Sequence, residues 1–179
     1  MRAQSSYGAR GARCQRGLFL IEAMIAILII ALGILGMIAM GGVAVSATSD
    51  ANYRTEAQSN AEAIAAAISL RADRSSSAPA LATSLATFQH QPSGVDCAQT
   101  FGGIPTADAE VFRLMQRFAN LLPGEPGMVG ATGIHQQVLV DTNPATGHNR
   151  VTITLCWRAP SDSAVRQHTY VTYVNGTSG

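Results

Sequence analysis

The chain contains no lysine, and only 13% of its residues are charged. Its cations are twelve arginines, four of which, Arg2, Arg10, Arg13 and Arg16, precede Gly17 with no acid among them. Beyond Gly17, eight arginines face eleven Asp and Glu, a net charge near −3. That balance argues against nucleic-acid binding, which relies on clustered basic side chains set against phosphates. Metal-ligand spacing is also missing. His90, His135, His148 and His168 are scattered and form no pair of the HExxH kind, and no nucleophile elbow surrounds any serine. Neither a metal, a cofactor nor a catalytic role is expected. The single tryptophan, Trp157, and the Tyr170/Tyr173 pair read as sheet core or surface rather than as a ligand platform. Arg113 and Arg117, one helical turn apart, read as a solvated face.

Charge is scarcest between Leu18 and Val45, where Glu22 is the only ionisable side chain. The run is long enough to span a bilayer as a helix and exceeds the h-region of about 7–15 residues in a secretory signal. The arginines before it fit the positive-inside rule, which holds residues 1–17 in the cytoplasm and sends the rest across. A carboxylate in such a run costs about 2.5–3.5 kcal/mol even on lenient insertion scales, and so marks function. A matching positive charge would arise if the chain were cut after Gly17. The new α-amine would sit on Leu18, making Glu22 the fifth residue of the shortened chain. Gly33, Gly36, Gly41 and Gly42 soften this helix or permit close packing, but Gly33-x-x-Gly36 is not a GxxxG motif.

The helix is expected to continue to about Arg74. Val43, Ala47, Ala51, Ala57, Ala61, Ile64, Ala65 and Ile68 recur at helical spacing, with Asp50, Arg54, Glu56 and Glu62 between them. A helix from Leu18 to Leu70 would extend about 80 Å at 1.5 Å per residue. Residues 75–105 read as loop, with a short helix over Leu81–Phe88. A second helix opens at Thr106 as N-cap, with Asp108 and Glu110 in its first turns. Val111, Leu114, Met115, Phe118 and Leu122 form its apolar face, and Pro123-Gly124 ends it. Three strands follow. Ile134–Asp141 places Ile134, Val138 and Val140 on one face and His135, Gln137 and Asp141 on the other. Val151, Ile153, Leu155 and Trp157 alternate with Thr152, Thr154, Cys156 and Arg158, and Arg166–Val174 is rich in Thr, Tyr and Val. The expected class is α+β: a long N-terminal helix, half membrane-spanning, with its amphipathic half laid on a small antiparallel meander.

A basic leader, Gly17, an apolar first residue and Glu22 in the fifth place of a long apolar helix resemble the processing and assembly signature of type IV pilins and pseudopilins. Leu20-Ile21-Glu22-Ala23, Leu32-Gly33-Ile34-Leu35-Gly36, Leu122-Pro123-Gly124 and Val151–Arg158 resemble the PilV-type minor pilins. The resemblance implies a pilin-like fold and four segments: a leader at 1–17, a transmembrane and assembly helix at 18–45, its amphipathic continuation at 46–74, and a periplasmic α+β domain at 75–179. It also implies that a prepilin peptidase cuts between Gly17 and Leu18 and methylates the new amine. The subunit would then leave the inner membrane for a helical fibre, where it helps to initiate or cap a type IV pilus. The implied partners are that peptidase, other minor pilins, the major pilin and the pilus assembly platform. Two other readings share part of the pattern: a pseudopilin of a type II secretion system, and a single-pass anchored periplasmic binding module that keeps its leader.

Three cysteines are an odd count, and loss of Cys14 with the leader would leave Cys97 and Cys156. In an oxidising periplasm these are expected to form a disulfide, the alternative being two separate buried thiols.

Overall fold

The computed structural model describes residues 16–75, 77–146, 148–160 and 162–176. Arg2, Arg10, Arg13 and Cys14 of the expected leader lie outside the described residues, as do the side chains of Arg16 and Leu18. The elements run α1 (Arg16–Arg71), α2 (Ala78–Ala86), α3 (Ala109–Phe118), β1 (Thr132–Asp141), β2 (Arg150–Arg158) and β3 (Arg166–Tyr173). Contacts divide the chain into two compact units, one ending at Ser46 and one starting at Ala47.

In the first unit the chain is helical from Arg16 onward. Leu, Ala, Met and Ile supply the helix propensity, and the hydrophobic residues point all round the axis rather than to one stripe. A Cβ added at Gly33, Gly36, Gly41 or Gly42 would meet nothing within 4 Å, so no contact inside the chain requires these glycines.

The second unit is α+β. Its portion of α1 buries Ala57, Ala61, Ile64, Ala65 and Ile68, a stripe of mostly small side chains. These share one core with Val138 of β1 and with Val151, Ile153, Leu155 and Trp157 of β2. Small residues let a helix axis approach the sheet closely, and the branched strand residues fill the remaining space. α1 stops at Arg71, short of the expected Arg74. The Asp73 carboxylate accepts from the Ser75 N–H and hydroxyl, a local turn that competes with further helix.

Two boundaries of α3 differ from expectation. Its N-cap is Asp108, not Thr106: the Asp108 carboxylate accepts from the N–H groups of Glu110 and Val111, each at 3.0 Å. Thr106 instead donates its hydroxyl to the Thr87 carbonyl at 3.0 Å, which ties it to the end of α2. At the other end α3 stops at Phe118, well before Pro123-Gly124, so Leu122 is not on its apolar face. Asn120 adopts φ 57°, its N–H bonds the Arg117 carbonyl and the Leu121 N–H bonds the Gln116 carbonyl. That is a Schellman closure with asparagine in the left-handed position. The short helix expected at Leu81–Phe88 is α2, which begins earlier at Ala78 with a proline in its first turn and buries Leu81 and Leu85.

The three strands form an antiparallel sheet in the order β1-β2-β3, with Val138 opposite Ile153 and Ile153 opposite Tyr170. β1 begins at Thr132, ahead of Ile134, and an irregularity lies between Thr132 and His135. The core face of β2 matches its alternation, but its other face is not a solvent face. Thr154 and Cys156 are buried, as is Gln137 of β1. The segment after α2 covers them: Gln137 Nε2 donates to the carbonyls of Gln91 and Gly94, and Phe101 and Val165 pack on Cys97 and Cys156.

Candidate functional site

The first unit presents an uncovered apolar surface. Its large hydrophobic side chains from Phe19 to Val45 are all exposed, Phe19 at 75% and Met40 at 78%. By length and composition this helix can cross a membrane. An apolar surface of this extent is stable in water only when hydrocarbon or other protein covers it. Glu22 stands on that surface between Ile21 and Ile25, both exposed. Among the described residues it makes no ion pair and no hydrogen bond. The Leu18 backbone lies one helical turn earlier on the same face, about 6 Å along the axis. Gly17 and Leu18 are thus within α1.

The second unit brings Cys97 and Cys156 together as a disulfide, with their Cα atoms 5.6 Å apart at a sequence separation of 59. Cys156 sits in the middle strand of the sheet, and Cys97 in a loop closed on itself by paired backbone bonds between Ser93 and Gly102. Gly94 at φ 107° lets the Phe101 ring pack against the loop backbone. The bridge therefore fixes an otherwise irregular segment onto the far face of β2.

The charged side chains of this unit are mostly neutralised within it. Arg113 bonds Glu110 at 2.8 Å and Glu125 at 2.6 Å. Both acids push the Arg113 pKa up, and the hydrogen bond from Arg113 pulls the Glu110 carboxyl down. Arg117 faces Glu56 at 3.7 Å. Arg166 bonds Asp162 at 2.8 Å and holds that carboxyl below its usual range. The expected Arg113/Arg117 surface is thus spread among three acids.

His90, one of the scattered histidines, is buried beside β1, its backbone paired with Val138. Burial lowers its pKa below the ordinary 6.5. Its Nδ1 accepts from the Thr106 N–H at 3.3 Å. Sequence reading had no signal for this position, because a lone histidine in a loop carries no periodicity. Among the described residues, no three His, Cys, Asp or Glu side chains gather into a group able to hold a metal ion.

Compared with protein-family models, with curated proteins and with solved structures, the chain has no significant match.

Proposed function

We propose that this chain is a minor subunit of a type IV pilus, anchored in the inner membrane before it enters the fibre. In this reading a prepilin peptidase cuts between Gly17 and Leu18 and methylates the Leu18 amine. Residues 18–45 then exchange a lipid environment for the packed helices of a fibre, while the α+β domain stays on the periplasmic side. The protein acts as substrate and building block, not as catalyst. The single observation carrying the reading is Glu22: one unpartnered carboxylate on a wholly apolar helical surface, one turn after Leu18 and behind a run of arginines. The amine freed at Leu18 of an adjacent subunit would neutralise it and set the register between helices. Until that contact forms, the carboxylate is costly in hydrocarbon.

N-terminal mass analysis of the protein recovered from membranes tests the reading. An N-methylated Leu18 terminus supports it. A chain that retains residues 1–17 overturns it and leaves the anchored binding module. Loss of surface pili on deletion separates the pilus from the secretion pseudopilus, whose loss would instead halt protein export.

A further inference from the structure

The chain has six asparagines, Asn52, Asn60, Asn120, Asn143, Asn149 and Asn175, and only Asn175 precedes a glycine. The side-chain carbon of an asparagine can be attacked by the backbone nitrogen of the residue that follows. The attack needs a nitrogen that is free of hydrogen bonds and able to swing onto that carbon. A glycine in the following position eases the swing, because no Cβ obstructs it.

The fold withholds these conditions from five of the six. Asn52 and Asn60 lie inside α1, where the following N–H is held in the helix ladder. Asn60 is also buried, and its Nδ2 donates to the Glu56 carbonyl at 2.8 Å. After Asn120, the Leu121 N–H donates to the Gln116 carbonyl at 2.9 Å. Asn143 is followed by Pro144, whose nitrogen carries no hydrogen to lose. Asn149 is followed by Arg150, which lies between strand partners, Asp141 on one side and Tyr173 on the other.

Asn175 meets both conditions. Asn175 and Gly176 follow the end of β3, outside regular structure, and both are exposed. Among the described residues, neither the Asn175 side chain nor the Gly176 N–H makes a hydrogen bond. The chain is nevertheless held on either side. Val174 is fully buried, and its N–H donates to the Asn149 carbonyl at 3.1 Å. Gly176 sits against α2, where a Cβ built on it would stand 3.6 Å from Leu81 Cδ2.

We propose that Asn175 is a self-modification site, where the adjoining backbone converts the side-chain amide to a carboxylate with water as the co-reactant. The Gly176 nitrogen gives up its proton and bonds to Asn175 Cγ. The Cγ–Nδ2 bond breaks, and that nitrogen leaves as ammonia. Water then opens the cyclic imide at either carbonyl. One opening yields aspartate. The other yields isoaspartate, which lengthens the backbone by one methylene. The net change is one water gained and one ammonia lost. Each modified chain acquires a negative charge on an exposed surface beside α2. The proposal goes beyond the assembly reading and does not rest on it.

The test incubates the full chain in detergent micelles, in ¹⁸O-water at mildly alkaline pH, which favours the deprotonated nitrogen. Trypsin cuts after Arg166 and releases residues 167–179, in which Asn175 is the only asparagine. Mass spectrometry is expected to find one ¹⁸O at Asn175, in both aspartyl and isoaspartyl forms, while the other asparagines stay unlabelled over the same interval. The folded chain is expected to react within about threefold of the urea-unfolded chain, because no opening step precedes the attack. Gly176→Ala fits the space beside Leu81. It is expected to slow labelling about tenfold, or about 1.4 kcal/mol on the barrier, while Trp157 fluorescence stays native. Absence of label from the folded chain, equal labelling of the other asparagines, or an unchanged rate in folded Gly176→Ala would each overturn the proposal.

Discussion

The Asp108 carboxylate both caps α3 and receives the guanidinium of Arg71, the last residue of α1, at 2.7 Å. One side chain thereby joins the end of one helix to the start of another across 37 residues of sequence. Burial alone would raise the Asp108 pKa, but the Val111 N–H, Arg71 and the Glu110 N–H together hold it below 3.8. Its contribution is therefore present above the ordinary carboxyl range and is lost as pH falls through the lowered value. Asp108→Ala is expected to cost about 1–2 kcal/mol, the usual worth of a cap. Arg71→Ala is expected to cost less than about 1 kcal/mol, since the arginine is half exposed. Urea unfolding followed by Trp157 fluorescence measures both. Equal losses from the two variants would place the stabilisation in the ion pair rather than the cap.

His90 adds a second loss on the same acid limb of the pH profile, beginning at higher pH than that of Asp108. The unfolded histidine titrates near 6.5, and the folded one lower. Between those values the unfolded state holds more protons, so stability falls as pH drops below about 6.5. Protonation also removes the Nδ1 lone pair that accepts from Thr106. His90→Gln, which retains an acceptor, is expected to flatten the stability profile just below pH 6.5. An unchanged slope in that window would assign the acid sensitivity to other groups.

Reduction of the Cys97–Cys156 bridge is expected to lower stability by about 2–4 kcal/mol. Cys97→Ser with Cys156→Ala should match the reduced protein and show no further response to reductant. A reductant effect that survives in this double variant would place its origin elsewhere.

Gly127 lies where a Cβ would overlap the Arg117 carbonyl oxygen and press on the Phe118 carbonyl. Both are backbone atoms and cannot swing aside. Gly127→Ala is expected to destabilise the second unit by about 1–3 kcal/mol, the usual cost of overpacking. Thermal unfolding with an unchanged midpoint would show that the 123–128 turn adjusts freely.

The proposed assembly role predicts that Glu22→Ala is still cleaved after Gly17 but enters sheared fibres about tenfold less, a loss of about 1.4 kcal/mol. Mass analysis of the membrane fraction and quantitation of the fibre fraction provide the two readings. Normal incorporation would remove Glu22 from the assembly contact.

Much of the second unit was readable because its signals are local. The small stripe from Ala57 to Ile68 and the alternation from Val151 to Trp157 point to one core regardless of how the chain returns. Alternation says which face of a strand is apolar. It does not say whether a later or earlier loop will cover the other, so the burial of Gln137 and Thr154 was unreadable. The start of α3 failed for a similar reason: Thr106 and Asp108 are both good caps, and the Thr87 carbonyl decided between them from outside the helix. Its end was hidden behind Pro123-Gly124, a louder stop than Asn120. Glu22 stood out from composition alone, and the two cysteines from their parity.

The disulfide has one more consequence. Between Cys97 and Cys156 the chain contains all of α3 and β1. Once the sulfurs are joined, these elements belong to a closed covalent ring, with the two remaining arms leaving it at separate points. An oxidised chain cannot be drawn single file through a narrow pore even when fully unfolded, because two strands must pass abreast. Closure of the ring thus makes any earlier passage through such a pore one-way.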